Sequence, residues 1–199
     1  MGTEKALLRF GGRTLVETAL DTLRGAGLEA QIAGGAPALR QFAPVLEDAE
    51  PDRGPLGGIC AALAATTAQR AVFLPVDLPL LPSSLIRFLL FHASMTGCAV
   101  TLASCCGFAE SFPVVVDRAA LPALRTALNS GDRGCWQAFQ AASASLQQPA
   151  KVLAVELLAQ PGVVEHPAGL PTGCWFANVN TMEDFRAAGR YMAWADRVS

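Results

Sequence analysis

A basic excess is the first thing this chain lacks: 15 Lys and Arg stand against 17 Asp and Glu, a formal net charge of −2. Proteins that grip nucleic acid by its phosphates carry a positive face, so no electrostatic argument favours a nucleic-acid partner. No uninterrupted apolar run approaches the roughly 18 to 20 residues that cross a bilayer. Met1-Gly2-Thr3-Glu4-Lys5 lacks the charged-then-apolar layout of a secretory signal, and Ala6 stands where N-myristoylation takes Ser or Thr. The expectation is a soluble, cytoplasmic protein with no membrane partner. Histidine is scarce, and neither His92 nor His166 lies near a Ser or Cys in a nucleophile motif, which leaves hydrolase chemistry little support. The six cysteines (Cys60, Cys98, Cys105, Cys106, Cys135, Cys174) include no Cys-x-x-Cys spacing, so a structural zinc is not expected. Most sit among Ala, Val and Leu and read as small buried hydrophobes.

What is present is an apolar, lightly charged chain, 52% hydrophobic and 16% charged over 199 residues. That length suits a single domain, residues 1–199, with a sizeable core. Apolar spacing at Leu15, Ala19, Leu20 and Leu23 gives a helix from about Thr14, stopped by Gly25 and Gly27. Short apolar runs at 28–33 and 44–48 read as strands, and a Gly- and Pro-rich loop over 51–58 leads into an alanine-rich helix. A helix over 83–94 and a strand over 98–103 follow. Further strands are expected at 111–116, 151–157 (with a short helix as the alternative) and 174–179, and helices at 121–128, 136–144 and from Met182, with Thr181 as N-cap and Asp184 at the third helical position. The strand–helix alternation of the first half argues for a doubly wound, mostly parallel sheet.

One stretch organises the rest. Ala71-Val72-Phe73-Leu74-Pro75-Val76 is apolar on both faces and ends in a single carboxylate, Asp77, followed by Pro79 and Pro82. Such a run suits a central strand covered by helices on both sides. Ligands of open α/β sheets bind at the carboxyl ends of strands. Asp77 is therefore a candidate to hold a metal ion and, through it, a phosphorylated substrate. The competing account is an Asx-turn; an N-cap role is disfavoured because the next helix begins too far on.

Three motifs stand in order: Met1-Gly2-Thr3-Glu4-Lys5-Ala6-Leu7-Leu8; Glu47-Asp48 leading into Gly54-Pro55-Leu56-Gly57-Gly58 and then Pro75-Val76-Asp77-Leu78-Pro79; and Phe176-Ala177-Asn178-Val179-Asn180-Thr181-Met182-Glu183-Asp184. Together they resemble the molybdenum cofactor guanylyltransferases, within the nucleotidyltransferases of Rossmann-like, three-layer α/β fold. The resemblance implies transfer of GMP from GTP to molybdopterin with release of pyrophosphate, and Mg²⁺ as the cofactor. It implies that Lys5 and Asp77 are catalytic, that Asp77 is the metal ligand, and that Lys5, Asp48, Asp77 and Gly57 meet the nucleotide. Asn178, Asn180 and Arg133 fall on the molybdopterin side. Molybdoenzymes or cofactor-delivery proteins would be partners. Taken alone, each residue also has a plain reading: Lys5 a solvated charge, Asp48 a loop carboxylate, Gly57 a turn residue, the two asparagines turn-adjacent polar groups.

The family pattern opens with an apolar strand and a Leu-Ala-Gly-Gly loop before its Met-Gly, and those features are not in this sequence. The resemblance therefore implies a sheet lacking its first strand and a site lacking backbone donors for the nucleotide. An upstream start that restores the loop, a non-catalytic paralogue acting as a binding or assembly partner, and a cytidylyl- or sugar-phosphate nucleotidyltransferase are the alternatives.

Overall fold

The computed structural model describes residues 5–35, 37–46, 53–131 and 134–198. The chain begins with a single 3₁₀ turn, Lys5–Leu7, and a tight antiparallel hairpin of β1 (Arg9–Phe10) and β2 (Arg13–Thr14). Thr14 then caps α1 (Leu15–Gly25): its hydroxyl accepts from the Glu17 N–H at 3.3 Å while the Glu17 carboxylate accepts from the Thr14 N–H at 2.8 Å. The two short strands β3 (Ile32–Ala33) and β4 (Val45–Leu46) pair in parallel. The helix α2 (Gly54–Ala65) leads to β5 (Arg70–Phe73), and α3 (Ser83–Thr96) ends at Gly97, whose φ of +68° is the left-handed cap that stops the helix.

The chain next forms β6 (Val100–Cys105), β7 (Phe108–Asp117), α4 (Leu121–Asn129), α5 (Cys135–Ser145), β8 (Ala150–Ala154) and α6 (Val155–Ala159). A one-turn helix α7 (Thr172–Trp175) and the final helix α8 (Met182–Val198) complete it. The main sheet runs β5–β7–β6–β8 and the β3–β4 pair stands apart from it. The α/β class agrees with expectation, but the sheet is mixed rather than mostly parallel. β6 and β8 are parallel, whereas β7 is antiparallel to both β5 and β6. The cause is local. Only Cys106 and Gly107 separate β6 from β7, and both hold positive φ (+53° and +82°), the geometry of a two-residue hairpin. A parallel pairing would need a crossover of a dozen residues or more.

The helices cover both faces. α1 and α3 pack together on one, over a core containing Leu85, Ile86, Leu89 and Val115. α2, α4 and α5 cover the other, where Leu63, Leu102, Val114, Val116 and Phe139 are wholly buried. Two local expectations fail. Gly54 to Gly58 are the opening of α2 rather than loop, and Gly58 faces Ala33 of β3, whose Cβ would be an ordinary 3.6 Å neighbour to a Cβ at Gly58. Residues 174–179 are not a strand, because α7 takes Cys174 and Trp175 and the rest is irregular. Among the described residues no helix is long and apolar enough to cross a membrane.

Candidate active site

Asp77 lies just past the carboxyl end of β5, in a turn fixed by the buried side chains of Leu78, Leu80 and Leu81. Pro79 and Pro82 keep this stretch out of helical geometry until α3 begins at Ser83. Lys5 reaches the same point from the other end of the chain. Its 3₁₀ turn is anchored by Ala6, buried against Val16, Leu20 and Leu39. The Lys5 ammonium donates to Asp77 Oδ2 at 2.9 Å and to Asn180 Oδ1. The surrounding hydrogen-bond pattern directs the Asn178 amide nitrogen at Asp77, 3.2 Å from Oδ1 and 3.0 Å from Oδ2. The intervening residue locks the segment in place: the Val179 N–H donates to the Asp77 carbonyl at 2.9 Å, and its side chain is buried.

The asparagine segment is held at both ends. Before it, Trp175 is buried with its indole N–H donating to the Leu170 carbonyl at 2.8 Å. After it, Asp184 accepts from the N–H groups of Asn180 (3.1 Å) and Thr181 (2.8 Å), while the Thr181 hydroxyl accepts from the Asp184 N–H at 3.1 Å. This reciprocal cap starts α8 at Met182, as the sequence indicates. The N–H of Thr181, then its hydroxyl contact, then the N–H of Asn180 hold the Asp184 carboxyl below the ordinary carboxylate range, with a smaller contribution from the Lys5 charge.

Four of the expected residues, Lys5, Asp77, Asn178 and Asn180, thus converge from three distant parts of the chain. Gly57 is buried within α2. Asp48 and Arg133 lie outside the described residues. Asp77 behaves as an ion-pair and amide partner, and neither as an N-cap of α3 nor, among the described residues, as an acceptor from the N–H groups of its own turn. The cluster offers a carboxylate and amide oxygens at a partly open position. That donor chemistry fits Mg²⁺, which takes one or two carboxylates and completes its shell with water and substrate phosphates.

A second potential divalent-metal site escaped the sequence reading. Cys105 Sγ, Cys106 Sγ and a Glu156 carboxylate oxygen lie within 4.8 Å of one another at the β6–β7 hairpin. Glu156 accepts from the Cys106 N–H at 2.6 Å. Desolvation, then the neighbouring Cys106 thiol, pushes the Cys105 thiol up to about 12. Sulfur donors suit a thiophilic cation rather than Mg²⁺. The available signal was the adjacent Cys-Cys-Gly at a turn.

Comparison with known proteins follows this geometry. Residues 1–149 match the family model of the MobA-like NTP transferase domain. A relative from Haloferax mediterranei, a probable molybdenum cofactor guanylyltransferase, is 31% identical over 194 residues, covering 94% of this chain and 85% of its own. Matches to several other molybdenum cofactor guanylyltransferases span about half of those proteins' length. The fold resembles molybdopterin-guanine dinucleotide biosynthesis protein A from Archaeoglobus fulgidus (TM-score 0.73, 18% identity, 97% of this chain and 92% of that one). It also resembles Rv0371C of Mycobacterium tuberculosis in complex with manganese (TM-score 0.60, 21% identity, 95% and 93% covered). The chain is a nucleotidyltransferase and belongs to the MobA-like NTP transferase family.

Proposed function

We propose that the chain transfers GMP from GTP to the phosphate of molybdopterin, releasing pyrophosphate. The observation that carries the reading is the convergence of Lys5, Asp77, Asn178 and Asn180 at the end of β5 in a member of this family. Asp77 is the residue that would hold Mg²⁺, which when bound supplies positive charge against the triphosphate.

The protein's own groups do the rest. Lys5 carries a mobile positive charge already desolvated on one side by Asp77 and Asn180, so it can swing onto phosphoryl oxygens without leaving the site. Asn178 orients the Asp77 carboxylate and stops it from rotating away. Asn180, fixed through its N–H by Asp184, presents its amide at the surface, where an acceptor phosphate would arrive. The acceptor needs no general base. A phosphate monoester loses its second proton near pH 6, so at neutral pH its oxygen is already a nucleophile. It attacks the α-phosphorus in line, the bond to the pyrophosphate oxygen breaks, and catalysis is positioning plus charge stabilisation. This agrees with a site built without histidine.

The test is molybdopterin-dependent pyrophosphate release from GTP, with CTP run in parallel. Asp77→Asn should lower turnover by about two orders of magnitude or more, the scale of losing one preorganised charge contact, with unchanged circular dichroism. Near-normal turnover of the variant would remove Asp77 from the mechanism, and a strong preference for CTP would overturn the guanylyl assignment.

A further inference from the structure

The β6–β7 turn gathers three ligating side chains that take no part in the Lys5–Asp77 cluster. Their meeting follows from register. β6 and β8 run parallel with Ser104 opposite Ala154, so two residues further along each chain Cys106 comes beside Glu156, at the opening of α6. The Cys106 N–H donates to Glu156 Oε1 at 2.6 Å and holds the carboxylate against the turn. Neighbours in a strand point to opposite faces, yet the Cys105 and Cys106 sulfurs lie 3.8 Å apart. The left-handed backbone of Cys106, with φ +53°, turns its side chain back to the side of Cys105. The helix α7 borders the pair: the Thr172 carbonyl is 3.5 Å from Cys105 Sγ, and a Cβ on Gly173 would stand 4.0 Å from Cys106 Sγ.

We propose that Cys105, Cys106 and Glu156 form a Zn²⁺ site, with three protein ligands and a fourth position for water. Two thiolates about 2.3 Å from a tetrahedral ion stand about 3.8 Å apart, and the two sulfurs already have that separation. A Zn–O bond of about 2.1 Å sets an S···O edge of about 3.6 Å. The Glu156 oxygen lies within 4.8 Å of both sulfurs, and rotation of this half-buried side chain covers the difference. The mixed donor set selects the metal. Mg²⁺ and Ca²⁺ take oxygen ligands, and Cu⁺ is drawn to sulfur without carboxylate. Two thiolates with one carboxylate suit a borderline cation. Binding sends the two thiol protons to solvent, and the dication then sits among three anionic ligands.

Two other accounts of adjacent cysteines fit less well. A disulfide usually needs Cα atoms about 4.4–6.8 Å apart, whereas consecutive residues are fixed at about 3.8 Å, and this pair sits at a two-residue turn. Filling the core explains Cys105, which is buried, but not Cys106, which is exposed. Cys106 also takes the first place of the turn, where positive φ favours Asn or Asp ahead of Gly. Its thiol supplies what those residues do not, a soft ligand beside Cys105. Exposure of Cys106 gives the ion a way in. Bound Zn²⁺ would tie the hairpin to α6 by a second link besides the backbone contact. The proposal does not depend on the nucleotidyl-transfer reading, and its readout involves no turnover.

The test titrates the full, reduced chain with Zn²⁺ against a chromophoric chelator, in excess Mg²⁺ so that oxygen-only sites are already served. One equivalent should bind, and the unfolding midpoint should rise by several degrees because the ion binds the folded chain. Cd²⁺ in its place should give the absorbance of thiolate-to-metal charge transfer. Cys106→Ser and Glu156→Gln lie outside the core, so both should fold without metal as the parent does. Each should weaken Zn²⁺ at least roughly tenfold, and Cys106→Ser should also lower the Cd²⁺ absorbance. Cys98→Ala, a cysteine outside the cluster, should bind as the parent does. Unchanged binding by Cys106→Ser would overturn the site. Unchanged binding by Glu156→Gln would make the pair a bare dithiol and remove the argument for Zn²⁺. A Cys105–Cys106 disulfide formed in air, with no Zn²⁺ taken up by the reduced chain, would make it a redox pair instead.

Discussion

The two sides of the main sheet are built to different standards of closure. On the β6–β8 side, β6 is paired on both edges and sandwiched between helices, and Leu102, Val114, Val116 and Phe139 are wholly inaccessible to solvent. On the β5 side, the strand with the same apolar character ends the sheet among the described residues, its residues are half-buried, and β3 and β4 are two residues each. The charged cluster of Lys5 and Asp77 sits at the end of the open side. Stability is therefore concentrated in one half, and the polar site with its long-range ion pair in the other, a division expected where ligand-binding segments come from the less protected part of a fold.

Truncation of one apolar side chain on each side gives the largest test of that division after the Asp77 substitution. Phe139→Ala, in the closed half, should cost about 3–5 kcal/mol, since transfer and cavity terms add where nothing can relax. Val72→Ala, in the open half, should cost about 1 kcal/mol or less because its site is already partly exposed. Urea unfolding of both variants measures the ratio. Similar losses would mean that the β5 side is packed as tightly as the other and the contrast is false.

A smaller effect concerns His166, which packs its ring against Trp175 at 6.4 Å and takes the Ala168 N–H on Nδ1 at 3.1 Å. Burial lowers its pKa below 6.5, opposed only in part by the Leu80 backbone. The unfolded chain then binds a proton that the folded one resists, so stability should fall as pH drops below 6.5 and level off once the folded imidazole is also protonated. The loss should register first near Trp175 and the asparagine segment that follows it. His166→Gln should flatten the slope between pH 6.5 and 5. A slope unchanged by the substitution would place the sensitive group elsewhere.

Much of the site was legible in the sequence because its parts obey local rules. A lone carboxylate after an apolar run marked Asp77, and Thr181 with Asp184 three residues on marked the start of α8. What links them is not local. No local rule brings Lys5 across 72 residues to Asp77; only the resemblance of the motifs placed Lys5, Asp77, Asn178 and Asn180 at one site, and the irregular path of the asparagine segment, expected as a strand, was not legible. The antiparallel insertion of β7 was missed although the strands expected at 98–103 and 111–116 leave only seven residues between them, too few for a parallel crossover. The strand–helix alternation of the first half does not continue into the second, where this short connection puts an antiparallel strand into the sheet. The apolar run from Ala71 is a strand, as expected, but not a central parallel one: β5 pairs antiparallel with β7 and, among the described residues, no strand pairs with its other edge, because hydrophobicity on both faces reports cover by helices and not the number or direction of strand neighbours.

The smallest effect probes how the open half keeps its asparagines in place. Thr181→Ala removes the hydroxyl that accepts from the Asp184 N–H and should cost about 1 kcal/mol, the usual worth of an N-cap. The Asp184 carboxylate is the other half of that cap, and its pKa is depressed from 3.8 chiefly by the Thr181 N–H. A depressed carboxylate stabilises the fold above its ordinary pKa and loses that contribution as pH falls through the lower folded value. Asp184→Asn should therefore differ from the parent by a constant amount from pH 7 down to about pH 4.5, and the difference should shrink below pH 3.8. Because Asp184 also takes the Asn180 N–H, the same variant should raise KM for the acceptor more than it lowers kcat. A change in kcat alone would mean that the cap supports the helix without positioning Asn180.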